Sequence, residues 1–201
     1  MKRDDPLAAA KFELRCAASA IVSMRDARSY EAFEHSWRVY LQSIEKCWTK
    51  VAQGYRHISN RFQPWQSSFA RTRNEDMLLR YLMQARNADA HSIQQITEYT
   101  PSQTQLRLTP AESGGRVHVR NLVIRGGKIS YDNMAPSRTE INTVPPRIVL
   151  RDIVNRGVEY NVPTEHRGTA LPECDPISVA EKGLAFYEDF LNRAEKEFGA
   201  T

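Results

Sequence analysis

Between residues 29 and 55, Phe33, Trp37, Tyr40, Ile44, Trp48, Val51 and Tyr55 recur at spacings of three and four. That is the period of one helix face, so the segment predicts a long helix whose wide aromatic stripe has to be buried. The stripe is read as bundle core and not as a cofactor box. Around it, residues 1–100 read as helical. Asp5 before Pro6 makes an N-cap and first-turn pair, opening a helix to about Met24 that buries Leu7, Leu14, Ala17 and Ile21. Pro64 lacks a backbone donor and predicts an irregular break between Asn60 and Ser68. Thr72, Arg73, Asn74 and Glu75 then match the Ser/Thr-x-x-Glu capping box, so the next helix is expected to start there and to end before Pro101.

From residue 101 to 166 the helical period gives way to alternating β-branched residues and paired glycines. Residues 116–124 and 128–132 read as strands joined at Gly126 and Gly127. A second hairpin joins 147–154 to 158–162, turning at Asn155, Arg156 and Gly157. A last helix opens at Asp175 and Pro176, carries Ala180, Leu184, Tyr187, Leu191, Ala194 and Phe198 on one face, and stops at Gly199. That face needs a partner, and the N-terminal helices are the available one. The fold class expected is therefore α+β. It comprises a helical bundle over 1–100, a small antiparallel sheet inserted at 101–166, and a C-terminal helix at 175–199 that packs back on the bundle, all in a single domain spanning 1–201.

A net charge of +4 and a pI near 9.0 permit a polyanionic partner without demanding one. Cys16, Cys47 and Cys174 are odd in number and widely spaced, which argues for reduced thiols over a disulfide framework or a thiolate metal site. His35, His57, His118 and His166 show no metal-ligand spacing. No Gly-x-Gly-x-x-Gly, Walker loop or nucleophile elbow appears, so no metal and no cofactor is expected. No apolar run approaches a membrane span and no secretory h-region opens the chain, which predicts a cytoplasmic protein that does not engage membranes.

The richest segment chemically is 78–96, LLRYLMQARNADAHSIQQI. At about 100° per residue, Leu78, Leu82, Ala85 and Ile96 fall on one side, and Arg80, Gln84, Asn87, His91 and Gln94 on the other. Arg86 sits near the boundary. An arginine, a polar residue straight after it and a histidine five positions on can hold a phosphate and move a proton without a metal. The plainer reading is a solvated face that happens to carry a histidine. Asp89 falls on the buried side and so either pairs with an arginine such as Arg86 or a backbone donor, or marks a local bend that moves it off that side. A second candidate is the alternation of Arg116, His118 and Arg120 with Val117 and Val119. Residues 101–166 hold nine Lys and Arg against six Asp and Glu, most of the excess charge of the chain. This strand face reads either as a phosphate-tracking surface or as ordinary solvated charge.

The Arg-Asn-x-x-x-His pattern at Arg86, Asn87 and His91, in a helix of a largely helical protein with a closing C-terminal helix, resembles the HEPN superfamily. Many of its members are metal-independent endoribonucleases, including toxins of toxin-antitoxin systems and other phage-defence proteins, while others only bind. The phrase ARNADAH also looks like one found in uncharacterised bacterial proteins. The resemblance is confined to the helices and does not account for the strands. It implies a homodimer in which Arg86, Asn87 and His91 meet their copies and cleave RNA to a 2′,3′-cyclic phosphate and a 5′-hydroxyl, with a cognate antitoxin as a further partner. The alternative is a non-catalytic binding or interaction module on the same scaffold, with the motif serving as a structural network.

Overall fold

Helices lead the chain in the computed structural model, which describes residues 7–91, 94–110, 120–125, 128–132, 137–171 and 175–199. They are α1 (Ala8–Arg25), α2 (Tyr30–Tyr55), α3 (Phe62–Glu75) and α4 (Met77–His91). Ten short strands follow: β1 (Thr97–Thr100), β2 (Gln103–Pro110), β3 (Arg120–Arg125), β4 (Lys128–Asp132), β5 (Ser137–Val144), β6 (Arg147–Leu150), β7 (Ile153–Asn155), β8 (Val158–Tyr160), β9 (Glu165–His166) and β10 (Thr169–Ala170). Helix α5 (Pro176–Phe198) closes the chain. The chain divides into two units, Met1–Tyr99 with Ile148–Thr201 as the first and Thr100–Arg147 as the second. The mixture of helices and antiparallel strands is α+β. Among the described residues the strands form five separate two-stranded ladders, β1–β6, β2–β5, β3–β4, β7–β8 and β9–β10, where one small sheet was expected.

In the first unit, α2 forms where the aromatic period predicts it, with Ser29 as N-cap accepting a hydrogen bond from the Ala32 N–H at 3.2 Å. Phe33, Trp37, Tyr40, Ile44, Val51 and Tyr55 are buried. Helix α5 starts on Asp175, whose carboxylate accepts from the N–H groups of Ile177 and Ser178, and it packs on α1, α2 and α4. The approach is close enough for the Tyr40 hydroxyl to donate to the Ala180 carbonyl at 2.8 Å. Gly183 makes this possible, because a Cβ there would collide with Leu82 and the Tyr40 hydroxyl.

The break expected around Pro64 is instead the first turn of α3. Its missing N–H costs nothing at the third helical position, where the donor has no intrahelical acceptor. The capping box at residues 72–75 is likewise overturned, since these residues are the last turn of α3. The Thr72 hydroxyl is spent on the Ser68 carbonyl at 3.1 Å. Arg73 is buried, paired with Glu45 at 2.6 Å and stacked 4.3 Å from the Trp48 ring. Burial of that side chain in the bundle extends α3 past the local capping signal. The Asp5–Pro6 pair and Cys174 lie outside the described residues.

The second hairpin, read as part of the inserted sheet, pairs only over 153–155 and 158–160 as β7–β8, which belongs to the helical unit, while 147–150 pairs with β1 instead, so the inserted unit ends at Arg147 and not at 166. Within the inserted unit, β2 and β5 pair antiparallel from Gln103↔Val144 to Pro110↔Ser137. Residues 120–125 and 128–132 pair antiparallel as expected, as β3 and β4, from Arg125↔Lys128 to Arg120↔Asp132, with an irregularity between Arg120 and Val123 where Asn121 takes φ 54°, while 116–119 and the expected turn at Gly126 and Gly127 lie outside the described residues. No helix among the described residues is long and apolar enough to cross a membrane.

Candidate functional site

Helix α4 is anchored at its start by Asp76, whose carboxylate accepts from the Leu79 N–H at 2.9 Å and so caps the helix. The same carboxylate holds the β9–β10 hairpin. It lies 3.0 Å from His166 Nδ1 and accepts from the Arg167 N–H at 2.7 Å. The turn between these strands has φ 51° at Arg167 and 74° at Gly168, the left-handed pair that a two-residue hairpin turn requires. Burial works to raise the Asp76 pKa, but the Leu79 and Arg167 N–H groups and His166 outweigh it and hold the carboxyl below its ordinary range.

One side of α4 buries Leu78, Leu79, Tyr81, Leu82, Ala85 and Ala88. The Tyr81 hydroxyl, its pKa driven up chiefly by burial, donates to the Arg151 carbonyl at 2.7 Å. The polar side is engaged as well. Gln84 Oε1 accepts from the Asn155 side-chain amide at 2.7 Å. Beyond the helix, Gln94 donates to the Asp152 carbonyl and accepts from the Val154 N–H, both at 3.1 Å. These bonds stitch the β7–β8 hairpin alongside α4. Its turn is also left-handed, with φ 52° at Arg156 and 76° at Gly157.

Between helix and hairpin lies a cleft of about 320 Å³ lined by Gln84, Asn87, Asn155, Arg156, Val158 and Tyr160. A second, of about 220 Å³, adjoins it along Met77, Arg80, Tyr81, Val158, Glu159, Tyr160 and Asn161. Of the motif, Asn87 therefore borders the first cleft directly. Arg86 is half-buried beside it, its Nη1 donating to Asn87 Oδ1 at 3.2 Å. His91 is the last residue of α4, one turn beyond Asn87, and its side chain lies outside the described residues.

Asp89 does pair with an arginine, but the arginine is Arg38 of α2, at 3.1 Å, and not Arg86. Of the second candidate set, Arg116 and His118 lie outside the described residues. Arg120 opens β3 opposite Asp132. No group of three His, Cys, Asp or Glu side chains among the described residues is arranged to hold a metal ion. Cys16 and Cys47 are free thiols. Burial, reinforced by Glu13 and opposed by Lys50, pushes the Cys47 thiol up to about 12, which leaves it without thiolate character at neutral pH.

Sequence reasoning passed over Arg156 and Tyr160 as site residues and set His166 aside. The Asn-Arg-Gly turn at 155–157 was legible as a turn. That it walls a cleft against Asn87 depends on a contact between segments some seventy residues apart, which no local pattern encodes. Compared with known proteins, the chain matches no family model, no curated protein and no solved structure.

Proposed function

We propose that the chain is a metal-independent endoribonuclease of the toxin or defence type, HEPN-like in its helices, acting on RNA as a homodimer. The observation that carries this reading is the hydrogen bond from the Arg86 guanidinium to Asn87, which itself lines a polar cleft. In the reaction, the 2′-hydroxyl oxygen attacks phosphorus, its proton leaves to a base, and the 5′-oxygen departs with a proton from an acid. His91 fills the base or acid role, Arg86 neutralises charge on the non-bridging oxygens, and Asn87 orients Arg86. Base and acid are two groups, while the motif supplies one imidazole per chain. A symmetric pair of chains supplies the second. The surplus of positive charge favours a polyanionic substrate. A cognate antitoxin protein is the further partner of this reading. Its place of action is the cytoplasm, where thiols such as Cys16 and Cys47 stay reduced.

A second reading, a non-catalytic HEPN-like binding or interaction module, is favoured by the lining of the first cleft itself. Its polar groups are amides, a guanidinium and a phenol, which bind but do not readily shuttle protons at neutral pH. One experiment separates the two. Purified protein is incubated with mixed RNA in EDTA and compared with His91→Ala. Cleavage to cyclic-phosphate ends that is lost in the variant supports the nuclease. Equal cleavage by both proteins, or none by either, leaves the binding module.

A further inference from the structure

The two clefts beside α4 meet at Val158 and Tyr160, which line both. On the helix side their walls run from Met77 through Arg80 and Gln84 to Asn87, all on one face. At the helical rise this face is about 15 Å long. Together the clefts make a groove along α4, and Tyr160 borders both parts of it. Tyr160 is half-buried and packs against the core on one side while bordering the groove on the other, so its ring is held in place.

We propose that this groove is a subsite for unpaired nucleotides of an RNA strand, with a base stacked on Tyr160 and the adjoining phosphate held by Arg156. The proposal rests on the RNA reading above and deepens it by naming the substrate class as single-stranded. Phosphate is assigned to the Arg156 end because that cleft contains no carboxylate, whereas Glu159 shares the other with Arg80. Arg156 sits on a hairpin turn stitched to α4, so its backbone is already ordered before any ligand arrives. The amides of Asn87 and Asn161, one in each cleft, both donate and accept, as the edges of bases do. A base in a duplex is already stacked and paired and is not free to stack on a protein ring within such a groove. An unpaired one is.

The test is fluorescence anisotropy of the full chain with a labelled short 2′-O-methyl oligouridine, which lacks the attacking hydroxyl, alone and annealed to its complement. The single strand is expected to bind at least about tenfold more tightly than the duplex. Loss of the stacking ring in Tyr160→Leu should weaken single-strand binding by about tenfold, and Tyr160→Phe should restore it. Arg156→Asn, a residue tolerant of the positive φ, should weaken binding and lower the salt slope by about one. Because Tyr160 also touches the core, thermal melts accompany each variant, and the exposed Arg156 gives a reading independent of that packing. Equal affinity for duplex, or wild-type affinity and salt slope in both Tyr160→Leu and Arg156→Asn, overturns the subsite. The cleavage assay is scored separately. Tyr160-dependent binding by a protein that cleaves nothing keeps the subsite and removes the nuclease, while His91-dependent cleavage with binding indifferent to Tyr160 and Arg156 does the reverse.

Discussion

Helices α2 and α4 share one core but differ in what their second faces do. The apolar stripe of α2 is buried and most of its opposite side is exposed, whereas α4 buries one face in the bundle and uses the other to hold a hairpin through Gln84. An aromatic stripe declares its own burial, since water rejects it whatever the partner is. A stripe of Arg, Gln, Asn and His looks the same whether it is solvated or hydrogen-bonded to another segment. On α4 the solvated reading holds at the exposed Arg80 and gives way at Gln84, which is bonded to the hairpin.

The largest effect should come from the face that declares itself. Trp37→Ala empties a fully buried site and is expected to cost about 3–5 kcal/mol in urea unfolding. A loss below about 1 kcal/mol would place the core elsewhere. Next, Asp76→Ala removes a helix cap and the hold on His166 and Arg167 together, at roughly 2–3 kcal/mol. Because the folded carboxyl titrates below its ordinary range, its stabilisation is full above that range and disappears as pH falls through the folded value. The stability gap between wild type and Asp76→Asn should therefore close in acid, and a gap that stays constant to low pH breaks the assignment.

Gln84→Ala measures the comparison directly, with about 1 kcal/mol expected if the amide clamps Asn155 and close to nothing if that face is solvated. The smallest stability effect is expected at the motif. Arg86→Ala and His91→Ala should stay within about 0.5 kcal/mol of wild type while abolishing the RNA cleavage proposed above. A motif variant that melts early would recast Arg86 and Asn87 as a structural network.

Helix capping shows where local signals conflict. Residues 72–75 satisfy a capping pattern, yet the carboxylate that caps α4 is that of Asp76, the next residue. The choice was settled by burial of Arg73 against Glu45 and Trp48, two partners on α2. Asp89 illustrates the same limit. Its need for a partner was legible from the helical wheel, but that the partner is a cation, and that it is Arg38, required knowing that α2 lies beside α4. In the candidate site, Asn87 was named from sequence, while Tyr160 and Arg156 were visible only once the hairpin was in place.

By itself, then, the sequence determined what repeats locally. The period of α2, the capped start and apolar face of α5, and the glycine-bearing turn at 157 each follow from chemistry within a few residues. The tertiary structure decided which strands joined the helical unit, which acid caps α4, and which residues face Asn87 across the cleft. Those choices depend on polar bonds between distant segments, and a hydrogen-bonding side chain does not encode which of many possible partners it will meet.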